Sequence, residues 1–91
     1  MSKLKSKVIH INGRRTSIRL CSSEWLALEE ICRREKLSRK LLFETIERYS
    51  SGPIGLTGSI RLFSIVYFHD IIKNSEVVKN TPILPLLERL F

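Results

Sequence analysis

Residues 7 to 20, Lys-Val-Ile-His-Ile-Asn-Gly-Arg-Arg-Thr-Ser-Ile-Arg-Leu, are rich in Val, Ile and Thr and are interrupted once, by Asn12-Gly13. That dipeptide between β-favouring runs is the strongest short hairpin signal. If Ile11 and Arg14 flank a two-residue turn, His10 opposes Arg15, Ile9 opposes Thr16 and Val8 opposes Ser17. Ile9, Ile11, Thr16, Ile18 and Leu20 then share one face, while Arg15, Ser17 and Arg19 point the other way. The pattern predicts a strand with a core face and a basic face. It leaves two roles open for residues 7 to 11: the first strand of a hairpin, or a flexible arm.

The period changes after Cys21. Cys21-Ser22-Ser23-Glu24 offers capping residues, and Trp25, Leu28, Ile31 and Cys32 follow at helical spacing, which predicts a helix over about Ser22 to Glu35. Its charges pair as Glu29–Arg33 and Glu30–Arg34 on a solvated face. Lys36-Leu37-Ser38 reads as a turn with Ser38 capping a second helix, whose apolar stripe is Leu41, Leu42, Thr45, Ile46 and Tyr49, and which ends near Ser50. Ser50-Ser51-Gly52-Pro53-Ile54-Gly55 is a linker, because Gly and Pro break helical propensity at successive points.

A third helix begins near Thr57. From Ile60 to Ile72 it is apolar on nearly every side, a pattern that calls for burial on more than one face and points to a subunit interface. In the tail, Thr81 to Phe91, two prolines forbid a long helix, and a last turn is expected after Pro85. The chain divides into 1–13, a basic arm or first hairpin strand; 14–50, one strand and two helices; 51–73, linker and apolar helix; and 74–91, tail.

Composition narrows the function. Ninety-one residues make one small domain, and no apolar run approaches the roughly 20 residues that cross a bilayer. The start of the chain lacks the apolar stretch of a secretory signal, and Cys21 and Cys32 form no metal or redox motif, so a reducing, cytoplasmic compartment is expected. The net charge is +7, of which +6 lies in residues 1 to 23 with no acid among them. So uneven a distribution favours a polyanionic partner, since each neutralised phosphate releases counterions.

Candidate chemistry elsewhere is thin. His10 and His69 lack companion ligands, two isolated cysteines supply no zinc set, and neither a metal nor a cofactor is expected. His69 and Asp70 are neighbours on a helix and point about 100° apart, so they make no acid–base dyad and no catalytic residue is assigned. Trp25, at i, i+3 from Leu28, reads as core.

One strand with two short helices has too little apolar surface to close a core and leaves strand edges unpaired. Either the Asn12-Gly13 hairpin supplies the second strand, or a second subunit does. The run Arg15-Thr16-Ser17-Ile18-Arg19-Leu20, then a helix with Trp25 and Leu28, then Leu37-Ser38 opening a second helix, resembles the ribbon-helix-helix DNA-binding proteins of the Arc and MetJ kind. That resemblance covers roughly residues 14 to 50 without a gap. With Gly13-Arg14-Arg15-Thr16-Ser17 and Leu56-Thr57-Gly58-Ser59-Ile60-Arg61-Leu62-Phe63, it extends to about residue 73 and a bacterial subfamily with an additional C-terminal helix. The sequence departs from many relatives at Lys36, where they place Gly.

The resemblance implies a mainly α fold with a short N-terminal β-ribbon, a dimer built on ribbon, helix and helix, plus a third helix. It implies an antiparallel ribbon between subunits, lying in the DNA major groove. Carried over, Arg15, Ser17 and Arg19 become base readers, and Ser38 with the amide of Arg39 holds a phosphate at a helix N-terminus. Lys40, Arg14, Lys3, Lys5 and Lys7 add phosphate contacts, and Thr16, Ile18, Leu20, Trp25, Leu28, Ile31, Leu41, Leu42 and Ile46 form a core shared by two subunits. The expected function is a sequence-specific transcriptional regulator, a repressor acting on double-stranded DNA as a homodimer, with higher assembly through the third helix. The competing expectation is an antitoxin-like or adaptor protein whose apolar C-terminal half binds a protein partner.

Overall fold

The computed structural model describes residues 3–50, 53–74 and 83–90. It opens with strand β1, Leu4–Ile11, and strand β2, Arg14–Cys21, followed by helices α1, Ser22–Glu35, α2, Arg39–Tyr49, α3, Leu56–Lys73, and α4, Ile83–Leu90. The fold is a β-hairpin followed by helices. None of the described helices is long and apolar enough to cross a membrane.

β1 and β2 pair antiparallel, with Ile9 opposite Thr16, His10 opposite Arg15 and Val8 opposite Ser17. The turn residues Asn12 and Gly13 have φ of 47° and 80°. Two successive positive φ values are what a two-residue hairpin turn of matching twist demands, and Asn and Gly are the residues that reach them most easily. The hairpin, rather than a detached arm, is therefore what residues 4 to 11 form. α1 follows β2 directly: Cys21 is its N-cap, and the Glu24 carboxylate accepts the Cys21 amide at 2.7 Å.

Eleven residues build the core: Ile9 and Ile11 from β1, Ile18 and Leu20 from β2, Trp25, Leu28 and Ile31 from α1, Leu42, Phe43 and Ile46 from α2, and Ile60 from α3. The expectation that one strand and two helices must borrow a second subunit to bury these side chains is corrected here. β1 and α3 supply the missing cover within one chain, and of the nine residues assigned to a shared core all but Thr16 and Leu41 are buried without a partner. Thr16 is half-buried and Leu41 is 44% exposed.

α2 is rotated relative to the expected stripe. Leu42, Phe43 and Ile46 face inward, with Phe43 fully buried and its ring centroid 6.2 Å from that of Trp25. Leu41, Thr45 and Tyr49, spaced by four, form a second stripe beside the first, and Tyr49 is 86% exposed. The choice of stripe follows the larger payload, since a buried aromatic ring removes more apolar area from water than Leu41 can.

α3 buries only Ile60 fully, with Leu56, Phe63, Tyr67 and Phe68 partly covered. Leu62, Ile65, Val66 and Ile72 remain exposed. α4 begins at Ile83, one turn earlier than the expected start after Pro85. Pro85 is tolerated as its third residue because the first-turn amides have no partner within the helix. The expectations for residues 51–52, 75–82 and 91 lie outside the described residues.

Candidate nucleic-acid interface

The pleat sorts the hairpin into two faces. Opposed residues share a face, so Ser6, Val8 and His10 on β1 stand beside Arg19, Ser17 and Arg15 on β2, and all six are exposed. Among the described residues, Arg15 and Arg19 take part in no ion pair and no hydrogen bond to an acid. Two guanidinium groups, a hydroxyl between them and a row of small or polar neighbours make a surface of forked donors. Such forks bond planar acceptors bidentately.

Other arginines are occupied. Both Arg14 Nη atoms donate to the Glu47 carboxylate on α2, and Asn12 Nδ2 donates to the same carboxylate at 2.8 Å. The Asn12 amide donates to Glu44 Oε2, also at 2.8 Å. The Arg14 guanidinium, followed by the Asn12 amide, pulls the Glu47 carboxyl down to about 2. These bonds pin the hairpin tip to α2, so Arg14 is held by an acid rather than free as a phosphate contact. Arg61 Nε pairs with Glu24 Oε2 at 2.7 Å, and Arg33 pairs with Glu30.

α2 begins beside the ribbon. Ser38 is its N-cap, and the Ser38 Oγ accepts the Leu41 amide at 3.1 Å. The amides of Arg39 and Lys40 precede the first intrahelical bond, no acid lies in the first turn, and the helix dipole adds partial positive charge. The Arg39 guanidinium carbon lies 5.5 Å, and the Lys7 Nζ 4.9 Å, from the centroid of the Trp25 ring. Cation–π contact holds both chains close to the junction of hairpin and helices. Trp25 is anchored in turn by its Nε1, which donates to the Lys5 carbonyl at 3.0 Å. Lys3, Lys5 and Lys40 are exposed.

Lys36 ends α1 in the left-handed region, φ 56° and ψ 46°, at the position where glycine is expected. The turn therefore keeps its shape with a lysine in it, and the local strain is borne by the backbone.

Residues 4–68 match the family model of the ribbon-helix-helix domain. The chain belongs to the ribbon-helix-helix family. Domains of this family are typically DNA-binding transcription regulators that dimerise, and they are typically not enzymes. No curated protein and no solved structure is significantly similar to the chain. The match begins at the first residue of β1 and ends within α3, so the hairpin and the third helix belong to the ribbon-helix-helix domain here.

The sequence reasoning assigned base reading to β2 alone. Ser6, Val8 and His10 were missed, although the predicted opposition of His10 to Arg15 and of Val8 to Ser17 already placed them on the same face. The clamp by Glu44 and Glu47 left no such trace, because 32 and 35 residues separate these acids from Asn12.

Proposed function

We propose that the protein is a sequence-specific DNA-binding regulator, a repressor acting as a homodimer in a bacterial cytoplasm. It reads the major groove with the outer face of its hairpin. The observation that carries this reading is the contrast between arginines: Arg15 and Arg19 stand free on one flat exposed face, while Arg14, Arg33 and Arg61 are each held by a carboxylate.

β1 covers only one edge of β2, and the two-stranded sheet leaves the other without a strand neighbour. Two β2 edges pairing about a two-fold axis form an antiparallel ribbon between subunits and bring two copies of Arg15, Ser17 and Arg19 together. The major groove is about 12 Å wide and admits two strands. The two β2 strands enter, and the β1 strands lie toward the phosphate walls, where Ser6 and His10 can donate. Arg15 and Arg19 fit guanine O6 and N7, Ser17 either donates or accepts, and Val8 suits a thymine methyl group. Ser38 with the amides of Arg39 and Lys40 binds a backbone phosphate, and Lys3, Lys5 and Lys40 add sequence-independent attraction.

Selection from a random duplex library, followed by anisotropy over a salt series, tests the reading. A short two-fold symmetric site is expected, with Arg15→Ala and Arg19→Ala each losing roughly 1–3 kcal/mol of discrimination. If no site is enriched and both variants bind as the wild type does, ribbon readout is wrong.

A further inference from the structure

A cleft of about 940 Å³ opens between α2 and α3, away from the outer face of the hairpin. Its walls are apolar: Leu41 and Tyr49 on α2 and Leu62 and Val66 on α3 line it, and all four are exposed. At its margin the Tyr67 hydroxyl donates to Glu35 Oε2 at 2.6 Å. Along α2 the lining runs from Leu41 to Tyr49, and along α3 from Ser59 to Tyr67. Each stretch is about 12 Å long at the helical rise per residue.

α4 has the same length, eight residues and about 12 Å. Ile83, Leu84 and Leu87 lie at helical spacing toward one side, and all three are exposed. The chain thus carries an apolar cleft and an apolar helix of matching length. Among the described residues neither covers the other, since no residue of α4 lines the cleft. What fills the cleft comes from outside the chain, and the molecule that reaches it in a homodimer is a second copy.

We propose that α4 of one copy docks in the α2–α3 cleft of its partner, and the partner's α4 in the first. The exchange rests on the homodimer reading above. It is isologous, so both clefts and both helices are covered at once and no apolar face is left to nucleate open-ended assembly. Residues 74 to 82 join α3 to α4. Extended, they span at most roughly 30 Å, enough to cross between neighbouring subunits.

Site-directed disulfide trapping of the full chain tests the exchange, in a Cys21→Ser, Cys32→Ala background whose fold is checked by circular dichroism. Two differently tagged copies, one carrying Val66→Cys and the other Leu87→Cys, are mixed and oxidised. A mixed-tag disulfide that does not form when Glu29→Cys replaces Val66→Cys is the expected result. A single chain carrying both Val66→Cys and Leu87→Cys that closes only on itself overturns the proposal, because α4 then sits in its own cleft. Light scattering separates the remaining outcomes. A dimer without mixed-tag disulfide overturns the exchange alone, whereas a monomer at every concentration overturns the homodimer reading with it. Should Val66→Cys disturb packing, Leu62→Cys serves in its place. Loss of dimer mass in Leu84→Glu, with an unchanged helical spectrum, supports the exchange independently.

Discussion

The hairpin and α3 carry similar shares of branched apolar residues and meet opposite fates. In the hairpin, alternation divides the residues cleanly: Ile9, Ile11, Ile18 and Leu20 are buried and Arg15, Ser17 and Arg19 are exposed. In α3, Leu62, Ile65, Val66 and Ile72 are as hydrophobic as the strand residues, yet only Ile60 is fully buried. Hydrophobicity states a demand for cover, and topology decides whether a neighbour arrives. A strand in a half-covered sheet meets its cover on one side at every second residue. A helix with apolar residues all round needs neighbours on several sides, and one chain of this size provides α3 with only some of them.

The sharpest way to break this comparison is to substitute one apolar residue from each class. Phe43→Ala removes a fully buried ring beside Trp25 and should cost about 3–5 kcal/mol, read as a lowered urea midpoint. Ile65→Ser on the exposed face of α3 should stay within about 0.5 kcal/mol in the same assay. Equal costs would mean that α3 is covered in solution on the Ile65 side.

The basic face comes next in size. Arg19→Ala should weaken binding to a selected site by roughly 1–3 kcal/mol while leaving the urea midpoint close to wild type, because the side chain touches no core residue. Loss of stability rather than of binding would make this face structural.

Smaller effects are expected at the hairpin tip. The folded Glu47 carboxyl lies at about 2, below its ordinary 4.5, so the clamp contributes fully above the ordinary value and is lost as pH falls toward the folded one. The stability gap between wild type and Glu47→Gln should therefore shrink between pH 4.5 and about 2, followed by urea melts across that window. A gap independent of pH would assign the effect to packing. Lys36→Gly should raise stability by at most about 1 kcal/mol, since glycine reaches the left-handed region without strain.

Much of this fold was legible because its signals are local. Strand parity, the Asn12-Gly13 turn, the limits of α1 and the capping of α2 by Ser38 each depend on residues a few positions apart. The exposed arginine face was legible for the same reason: if Ile18 points inward, Arg19 points outward. Phe43 was not, because Leu41 and Phe43 both sit on apolar stripes of α2 and only its neighbours choose between them. The occupation of Arg14 was equally invisible, since Glu47 approaches it across a fold rather than along a helix.

By itself, then, the sequence determined the elements, the two faces of the hairpin and the basic charge that the family resemblance reads as a nucleic-acid surface. Each follows from backbone geometry that repeats every two or 3.6 residues. The tertiary structure decided which stripe of α2 is core, which arginines an acid holds, and that β1 and α3 close a core within one chain. These depend on contacts between residues tens of positions apart, where no local period operates and the outcome is set by which surfaces compete for the same neighbour.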